Sequence, residues 1–299
     1  LRIVKKNTAG ILAVIGGLTV FVIKFIAYII SNSVALLSDA LESIINIAAS
    51  IIMLFSVYIS EKPPDESHQY GHQKIEEISR LIEGILVVMA SVFLIYTAVN
   101  RLFNPPELLL LDIAITVSMI ATGLNFGIAY ILLRESKIKV SPALEGDAKH
   151  LLSDVMSSVA IWIGLGIVHF TGFTFVDPLL AMGVAALIMK IGLELVIKSS
   201  NYLLDPVSRE ADMKIREILE RHGRLFSGYH ELKTRRSGNQ IFSELHLVLN
   251  DTMTVKEAHD IADLIEQEVK QELPHVTLTI HVEPESEKQS TQTIKKISE

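Results

Sequence analysis

The 299-residue chain reads as a polytopic α-helical membrane protein, with six transmembrane helices and a small C-terminal α+β domain. Three observations predict this. The composition is shifted toward lipid, 49% hydrophobic and 20% charged with 6% aromatics, against about 25% charged residues in an ordinary soluble domain. Charge is sparse up to about Ser200 and dense afterwards. The sparse part also breaks into apolar runs close to the roughly 20 residues that a helix needs to span hydrocarbon.

The elements follow in order. Asn7 to Ile23, Ser43 to Ser60, Gly84 to Asn100, Ile113 to Leu133 and Val155 to Val176 contain no Asp, Glu, Lys or Arg. A sixth run, Val176 to Val196, is interrupted by Asp177, Lys190 and Glu194. These runs predict helices over 8–31, 34–60, 79–103, 109–134, 142–171 and 175–199. A soluble helical protein with a large core is the alternative, and the repetition of near-bilayer lengths argues against it. Basic residues cluster before the first helix (Arg2, Lys5, Lys6), between the second and third (Lys62, Lys74, Arg80) and between the fourth and fifth (Arg134, Lys137, Lys139, Lys149). The opposite connections, Ser31-Asn32-Ser33 and Thr171-Gly172-Phe173-Thr174, have none, and only Arg101 flanks Asn104-Pro105-Pro106. This asymmetry predicts that both termini are cytoplasmic.

Past Asp205-Pro206 the pattern becomes that of a water-soluble domain. An amphipathic helix over 209–222 precedes a strand from Tyr229 to Arg236, a Ser237-Gly238-Asn239 turn and a strand from Gln240 to Leu249. A helix from Thr254 to Glu272 and a strand from Val276 to Glu283 complete an αββαβ order. The expected division is a transmembrane domain over 1–205, a cytoplasmic domain over 206–283 and a polar, disordered tail over 284–299.

Composition also excludes function classes. Cysteine is absent and histidines number ten, so disulfides, thiolate zinc fingers and cysteine nucleophiles are excluded. Metal, if bound, must be held by histidine and oxygen. The net charge of −7 with no long basic run argues against nucleic acid as a partner. There is no H-E-x-x-H motif, which argues against an intramembrane metalloprotease, and no enzyme is expected.

Ionisable groups at bilayer depth are costly and mark pathways or binding sites. The second helix carries Asp39, Glu42 and Asn46, and the fifth carries Asp147, His150 and Asp154. Each trio is spaced i, i+3, i+7 and lines one helical face. Glu42 lies roughly nine residues into its helix, about 14 Å at the helical rise, and His150 and Asp154 reach similar depth. Two i, i+4 pairs on facing helices, Glu42 with Asn46 and His150 with Asp154, provide four ligands for one ion. The two carboxylates balance a divalent cation, and protons must replace the metal when it leaves. Hydrogen bonding between helices is the alternative for these groups. Lys24, Lys190 and Glu194 have no assigned role.

Two further groupings lie outside the membrane. Asp65, His68 and His72 form D-x-x-H-x-x-x-H in the connection after the second helix, a nitrogen–oxygen set suited to a zinc-like ion. In the cytoplasmic domain His230, His246 and His281 fall one on each strand, His259 on the second helix and Glu283 two residues after His281.

At this point the chain resembles the cation diffusion facilitator family, nearest its bacterial zinc and ferrous-iron efflux branch. The resemblance rests on Ser38-Asp39-Ala40-Leu41-Glu42-Ser43-Ile44-Ile45-Asn46, Tyr70-Gly71-His72-Gln73-Lys74, His150-Leu151-Leu152-Ser153-Asp154, His230 through Gly238, and Glu257-Ala258-His259. It implies a homodimer in the plasma (inner) membrane with a ferredoxin-like cytoplasmic domain. It also implies a transport site at Glu42, Asn46, His150 and Asp154, and a loop site at Asp65, His68 and His72. A cytoplasmic binuclear site would fall at His230, His246, His259, His281 and Glu283, and an interlocking charge pair at Lys74 and Asp205. Two positions depart from the family pattern. Glu42 and Asn46 stand where a pair of aspartates, or His with Asp, is usual, and Glu283 stands where Asp is common.

Together these readings predict a proton-coupled secondary antiporter that exports divalent transition metals by alternating access. Zinc is the foremost substrate, with iron or manganese next; cobalt, nickel and cadmium are not separated by sequence. The lipid bilayer, a second copy of the chain, divalent ions and protons are its expected partners. A membrane-tethered metal sensor or storage protein is the alternative.

Overall fold

A computed structural model of the chain describes residues 6–31, 34–103, 111–171, 176–238 and 240–287. Side chains at 30–42, those of Asp39 and Glu42 among them, lie outside the described residues. The chain divides into two units, Leu1–Ser200 and Asn201–Glu299.

The first unit contains six long helices: α1 (Lys6–Ser31), α2 (Val34–Ser60), α3 (Ile75–Phe103), α4 (Leu111–Lys139), α5 (Pro142–Thr171) and α6 (Val176–Leu203). All but α5 contain a described stretch long and apolar enough to cross a membrane. In α5 the titratable residues crowd the first half, and from Val155 to Thr171 it has no Asp, Glu, Lys or Arg. Large apolar side chains such as Ile15, Phe55, Phe93 and Tyr130 face outward, which suits a lipid solvent. Because lipid is as apolar as leucine, helices in a bilayer associate by close packing of small residues. Here Ala9, Ala13, Ala129, Ala143 and Ala148, with Met53, Leu132 and Leu144, join α1, α2, α4 and α5 into one core. Between α3 and α6 the backbones themselves meet. A Cβ on Gly84 would stand 2.9 Å from the Leu195 Cβ, and one on Gly192 2.9 Å from the Val88 backbone nitrogen.

Three helix ends differ from expectation by four residues or more. The α3 helix begins at Ile75 rather than near 79, α4 continues to Lys139 rather than ending near 134, and α6 continues to Leu203 rather than 199. The α4–α5 connection shrinks to Val140 and Ser141, with Val140 in the left-handed region at φ 50°. Lys137 and Lys139 are therefore helical residues, not loop residues, and Arg80 is buried within α3. The physical reason is that apolar periodicity ends where hydrocarbon ends, whereas a helix continues while its backbone hydrogen bonds are satisfied. The connections at 104–110 and 172–175 and residues 1–5 lie outside the described residues.

The second unit has the expected order: α7 (Arg209–Arg221), β1 (Gly228–Ser237), β2 (Gln240–Leu249), α8 (Val255–Glu272) and β3 (Val276–Pro284). The sheet runs β1-β2-β3, with β1 antiparallel and β3 parallel to β2. Alternation sends Tyr229, Leu245, Leu247, Leu249, Val276 and Leu278 inward to meet Ile215, Ile218 and Leu219 of α7 and Ile265 and Val269 of α8. The opposite sheet face carries the histidines. One irregularity breaks β1 between His230 and Lys233, where Glu231 adopts φ 51°. This bulge keeps Leu232 against the core after the strand has changed phase. At the far end, order continues past Pro284 through a 3₁₀ turn at Glu285–Glu287, so the expected disordered tail begins too early; residues 288–299 lie outside the described residues.

Candidate metal centres

In the first unit a polar seam runs among α2, α3, α5 and α6. Asn46 of α2 donates from Nδ2 to Asp154 Oδ2 of α5 at 2.6 Å, and its Oδ1 stands 3.0 Å from His150 Nε2. Asn46 thus touches two of the other three residues expected at one ion; the Glu42 side chain lies outside the described residues. Asp147, one turn along α5, is buried and accepts from the Ser50 hydroxyl at 2.9 and 3.2 Å. The other nitrogen of His150, Nδ1, faces Glu83 Oε2 of α3 at 3.2 Å.

Further along the seam, Ser60 donates to Glu76 Oε1 at 2.5 Å and Ser141 donates to the other oxygen of the same carboxylate. Arg80, 2% exposed, joins three helices. It donates to Glu77 of its own helix, to Glu145 Oε2 of α5 at 3.1 Å and to Ser199 Oγ of α6 at 2.8 Å. Lys198 and Lys149 also reach Glu145, at 2.8 and 3.1 Å. By contrast Lys190 and Glu194 form an outward-facing pair at 3.9 Å.

Sequence reasoning missed Glu83 and the Arg80 network. The signal existed. Glu76, Arg80 and Glu83 are spaced i, i+4, i+7 and share one face, the same cue that marked α2 and α5. Placing the helix start near 79 assigned Glu76 to the connection and hid the pattern.

The connection between α2 and α3 folds Asp65, His68 and His72 together. Asp65 Oδ1 accepts the His68 backbone N–H at 2.7 Å and both the backbone N–H and hydroxyl of Ser67 at 3.0 Å. These bonds, the His68 amide first, hold the Asp65 carboxyl down to about 2, so it is ionised at any physiological pH. His72 Nε2 stands 3.2 Å from Asp65 Oδ2 and His68 Nδ1 3.4 Å from Oδ1. One donor atom from each residue lies within 4.8 Å of the other two.

In the second unit the register sets His230 opposite His246 and His246 opposite His281, a row across all three strands. Glu283 accepts from both of the first two, at 2.9 Å from His230 Nε2 and 2.6 Å from His246 Nδ1. Burial pushes the Glu283 carboxyl up, but the bonds from His230 and His246 outweigh it and hold the group below its usual range. Donor atoms of His230, His246 and Glu283 also lie within 4.8 Å of one another. His281 stacks against His246 at 4.8 Å between ring centroids, but its side chain is 64% exposed and its Nε2 is 3.7 Å from Glu283. His259 is outside this group, 68% exposed on α8 beside Asp263 at 3.5 Å. Of the five residues expected at a binuclear site, one chain therefore gathers three tightly and a fourth loosely. Nitrogen with carboxylate oxygen is a donor chemistry suited to zinc and its first-row neighbours.

Known proteins carry the same two-part organisation. The family profile described as the cation efflux transmembrane domain matches residues 10–204, and that described as the cation efflux protein cytoplasmic domain matches 207–285. An uncharacterized transporter of Synechocystis sp., sll1263, is 33% identical over 287 residues, covering 95% of this chain and 92% of the relative. The cation-efflux pump FieF of Pectobacterium atrosepticum is 31% identical over 279 residues, 93% of this chain and 92% of the relative. Among solved structures, the metal-bound C-terminal domain of the CzcD transporter from Thermotoga maritima is 30% identical, with 28% of this chain and 100% of that domain covered and a TM-score of 0.26. The profile matches and the full-length relatives make this a multi-pass membrane transporter of cations, not an enzyme, and the chain belongs to the cation diffusion facilitator family.

Proposed function

We propose that the chain works as a homodimeric antiporter in the plasma membrane, both termini cytoplasmic, exporting a divalent transition metal in exchange for protons. Zinc is the foremost substrate, with iron or manganese next. The observation that carries this reading is the contact of Asn46, His150 and Asp154 across α2 and α5. Asn46 gives its amide hydrogen to Asp154, so its oxygen is left to accept, and the facing His150 Nε2 then carries a proton. A cation taking Nε2 as a ligand must displace that proton. Metal and proton therefore compete for the same atoms, which is the chemistry of exchange. Glu42 completes the set in this reading, and alternating access presents it to each side in turn.

Asp147 toward the cytoplasm and Asp39 toward the outside act as waypoints on the ion's path. Asp65, His68 and His72 take up metal at the loop. His230, His246, Glu283 and His281, with His259, form the cytoplasmic site, where bound metal neutralises clustered ligands and biases subunit spacing.

The test is metal-driven proton flux in liposomes. The wild-type chain is expected to move protons against Zn²⁺, and His150→Ala and Asp154→Ala to abolish that flux. Near wild-type flux in both variants would overturn the site. Absence of vectorial movement in the wild type would favour the tethered sensor or storage protein. In the same assay Asp39→Asn and Asp147→Asn change affinity or rate; if both leave them unaltered, these residues are structural polar groups.

A further inference from the structure

We infer that Glu83 is a positioning residue of the transport site, a carboxylate from a third helix that fixes which nitrogen of His150 meets the metal. The inference rests on the proposed role of His150 and adds α3 to a site otherwise built from α2 and α5.

Glu83 is 0% exposed, yet both its carboxylate oxygens lack a hydrogen-bond partner. Buried carboxylates are costly unless satisfied, and the neighbouring one, Glu76, is held by two serine hydroxyls. His150 Nδ1 is likewise buried without a hydrogen bond. These atoms face one another, Nδ1 standing 3.2 Å from Glu83 Oε2 but out of line for a hydrogen bond. Asp147 does not serve Glu83 in this way, because it accepts from Ser50 instead.

The two ring nitrogens of His150 therefore have separate surroundings. Nε2 points to the Asn46 and Asp154 side, where the ion is expected, and Nδ1 points to Glu83. An imidazole that ligates metal through one nitrogen needs its other N–H given to an acceptor, and a carboxylate in that place sets both tautomer and ring orientation. With the proton on Nδ1, a small turn of the Glu83 carboxylate would bring Oε2 into line and satisfy those two facing atoms together. The backbone makes room for this. Gly146 of α5 lies against Glu83, and a Cβ there would stand 3.1 Å from both Cβ and Cγ of Glu83 and 3.1 Å from the Arg80 Cα. The glycine lets α3 come close enough for a glutamate to reach the ring.

The experiment measures Zn²⁺-dependent proton flux of the full chain in proteoliposomes over a range of Zn²⁺ concentrations, for the wild type, His150→Ala, Glu83→Leu and Glu83→Gln. Glu83→Leu fills the space but offers no acceptor, and is expected to raise the half-saturating Zn²⁺ by about 10- to 100-fold, the usual cost of losing such a partner, while the rate at saturation is largely kept. Glu83→Gln keeps an oxygen that can accept Nδ1–H, and is expected to restore half-saturation to well within tenfold of wild type. Thermal unfolding of each variant in detergent accompanies the assay. A merely structural glutamate would lose stability and maximal rate together without this split. Unchanged half-saturation in Glu83→Leu overturns the inference, as does failure of Glu83→Gln to restore it. Should Glu83→Leu not fold, Glu83→Met, also without a strong acceptor, replaces it in the comparison with Glu83→Gln. Near wild-type flux in His150→Ala overturns the reading on which the inference stands, and the inference with it. Lost flux in that variant beside unaltered half-saturation in Glu83→Leu overturns the inference alone.

Discussion

The membrane and cytoplasmic groupings use the same kinds of donor in opposite surroundings. Asn46, His150 and Asp154, with Glu83 beside them, come from three helices and lie deep in the first unit. His230, His246 and Glu283 come from neighbouring strands and are only partly buried. In the sheet, donor spacing is set by strand separation, about 4.8 Å, and the row of histidines follows from register alone. In the bundle, spacing depends on how helices lean on one another, so a shift of one helix dismantles the site. Small sliding or rocking of packed helices is how domains of this kind open and close. A grouping held by helices can be taken apart by helix movement, whereas one set by strand register stays fixed as long as the sheet does.

The largest expected effect tests how rigid the helical part is. Arg80 ties α3 to α5 and α6 through Glu77, Glu145 and Ser199. Glu145 retains Lys198 and Lys149 if the guanidinium is removed. Glu77 would then lose its bond from Arg80 in a buried place. Breaking a buried ion pair from one side costs about 3–5 kcal/mol. Arg80→Ala is therefore expected to lower the thermal unfolding midpoint in detergent well below that of any substitution in the cytoplasmic unit discussed here. A change under about 1 kcal/mol, the range of an exposed salt bridge, would mean that this network is solvated in the membrane protein and that the contrast between the units is overdrawn.

A middle-sized effect sharpens the comparison from the other side. Glu283 is the acceptor shared by His230 and His246, so Glu283→Gln removes the negative charge from the cytoplasmic grouping and leaves the sheet intact. Calorimetric titration of the full chain with Zn²⁺ is expected to show at least tenfold weaker binding for that site, because the substitution removes its one charged oxygen donor. Small-angle scattering should also show less metal-induced compaction than in the wild type. Transport at saturating Zn²⁺ is expected to persist, because the membrane grouping is untouched. If Glu283→Gln instead abolishes transport outright, the two groupings are not separable.

Much of this was legible before any coordinates. The six apolar runs and the αββαβ order follow from hydropathy period alone, because burial in lipid or in a sheet imposes that period directly. The contacts among Asn46, His150 and Asp154 were expected from i, i+4 spacing on two helices, and the strand histidines from their places on three strands. What escaped was anything that depends on where a helix begins in water. Setting the start of α3 at the edge of its apolar run hid Glu76, Arg80 and Glu83 as one face, and ending α4 near 134 left Lys137 and Lys139 in a loop. The bulge at Glu231 escaped for a similar reason: alternation is a statement about faces, and one extra residue changes phase without changing composition. His259 was grouped with the strand histidines by family resemblance, and within one chain it stands apart.

The smallest expected effect lies at the start of α8, where water competes for every bond. Thr254 caps the helix, its hydroxyl accepting the Glu257 backbone N–H at 3.3 Å while the Glu257 carboxylate accepts the Thr254 N–H at 2.8 Å. The backbone bond from Thr254, then its hydroxyl, holds the Glu257 carboxyl below its ordinary 4.5. A carboxylate whose folded value is depressed contributes stability that is present above 4.5 and is lost as pH falls through the folded value. Thr254→Ala removes the hydroxyl and is expected to cost about 1 kcal/mol, as cap losses do. At neutral pH the variant should therefore melt slightly earlier in its cytoplasmic transition, and below pH 4 part of that gap should close, because the wild type has by then begun to protonate Glu257. A gap that is instead constant from pH 7 to pH 3 would assign the cap's contribution to the threonine alone. A loss as large as that expected for Arg80→Ala would mean that an exposed helix start and a buried guanidinium matter equally, against the distinction between the two units.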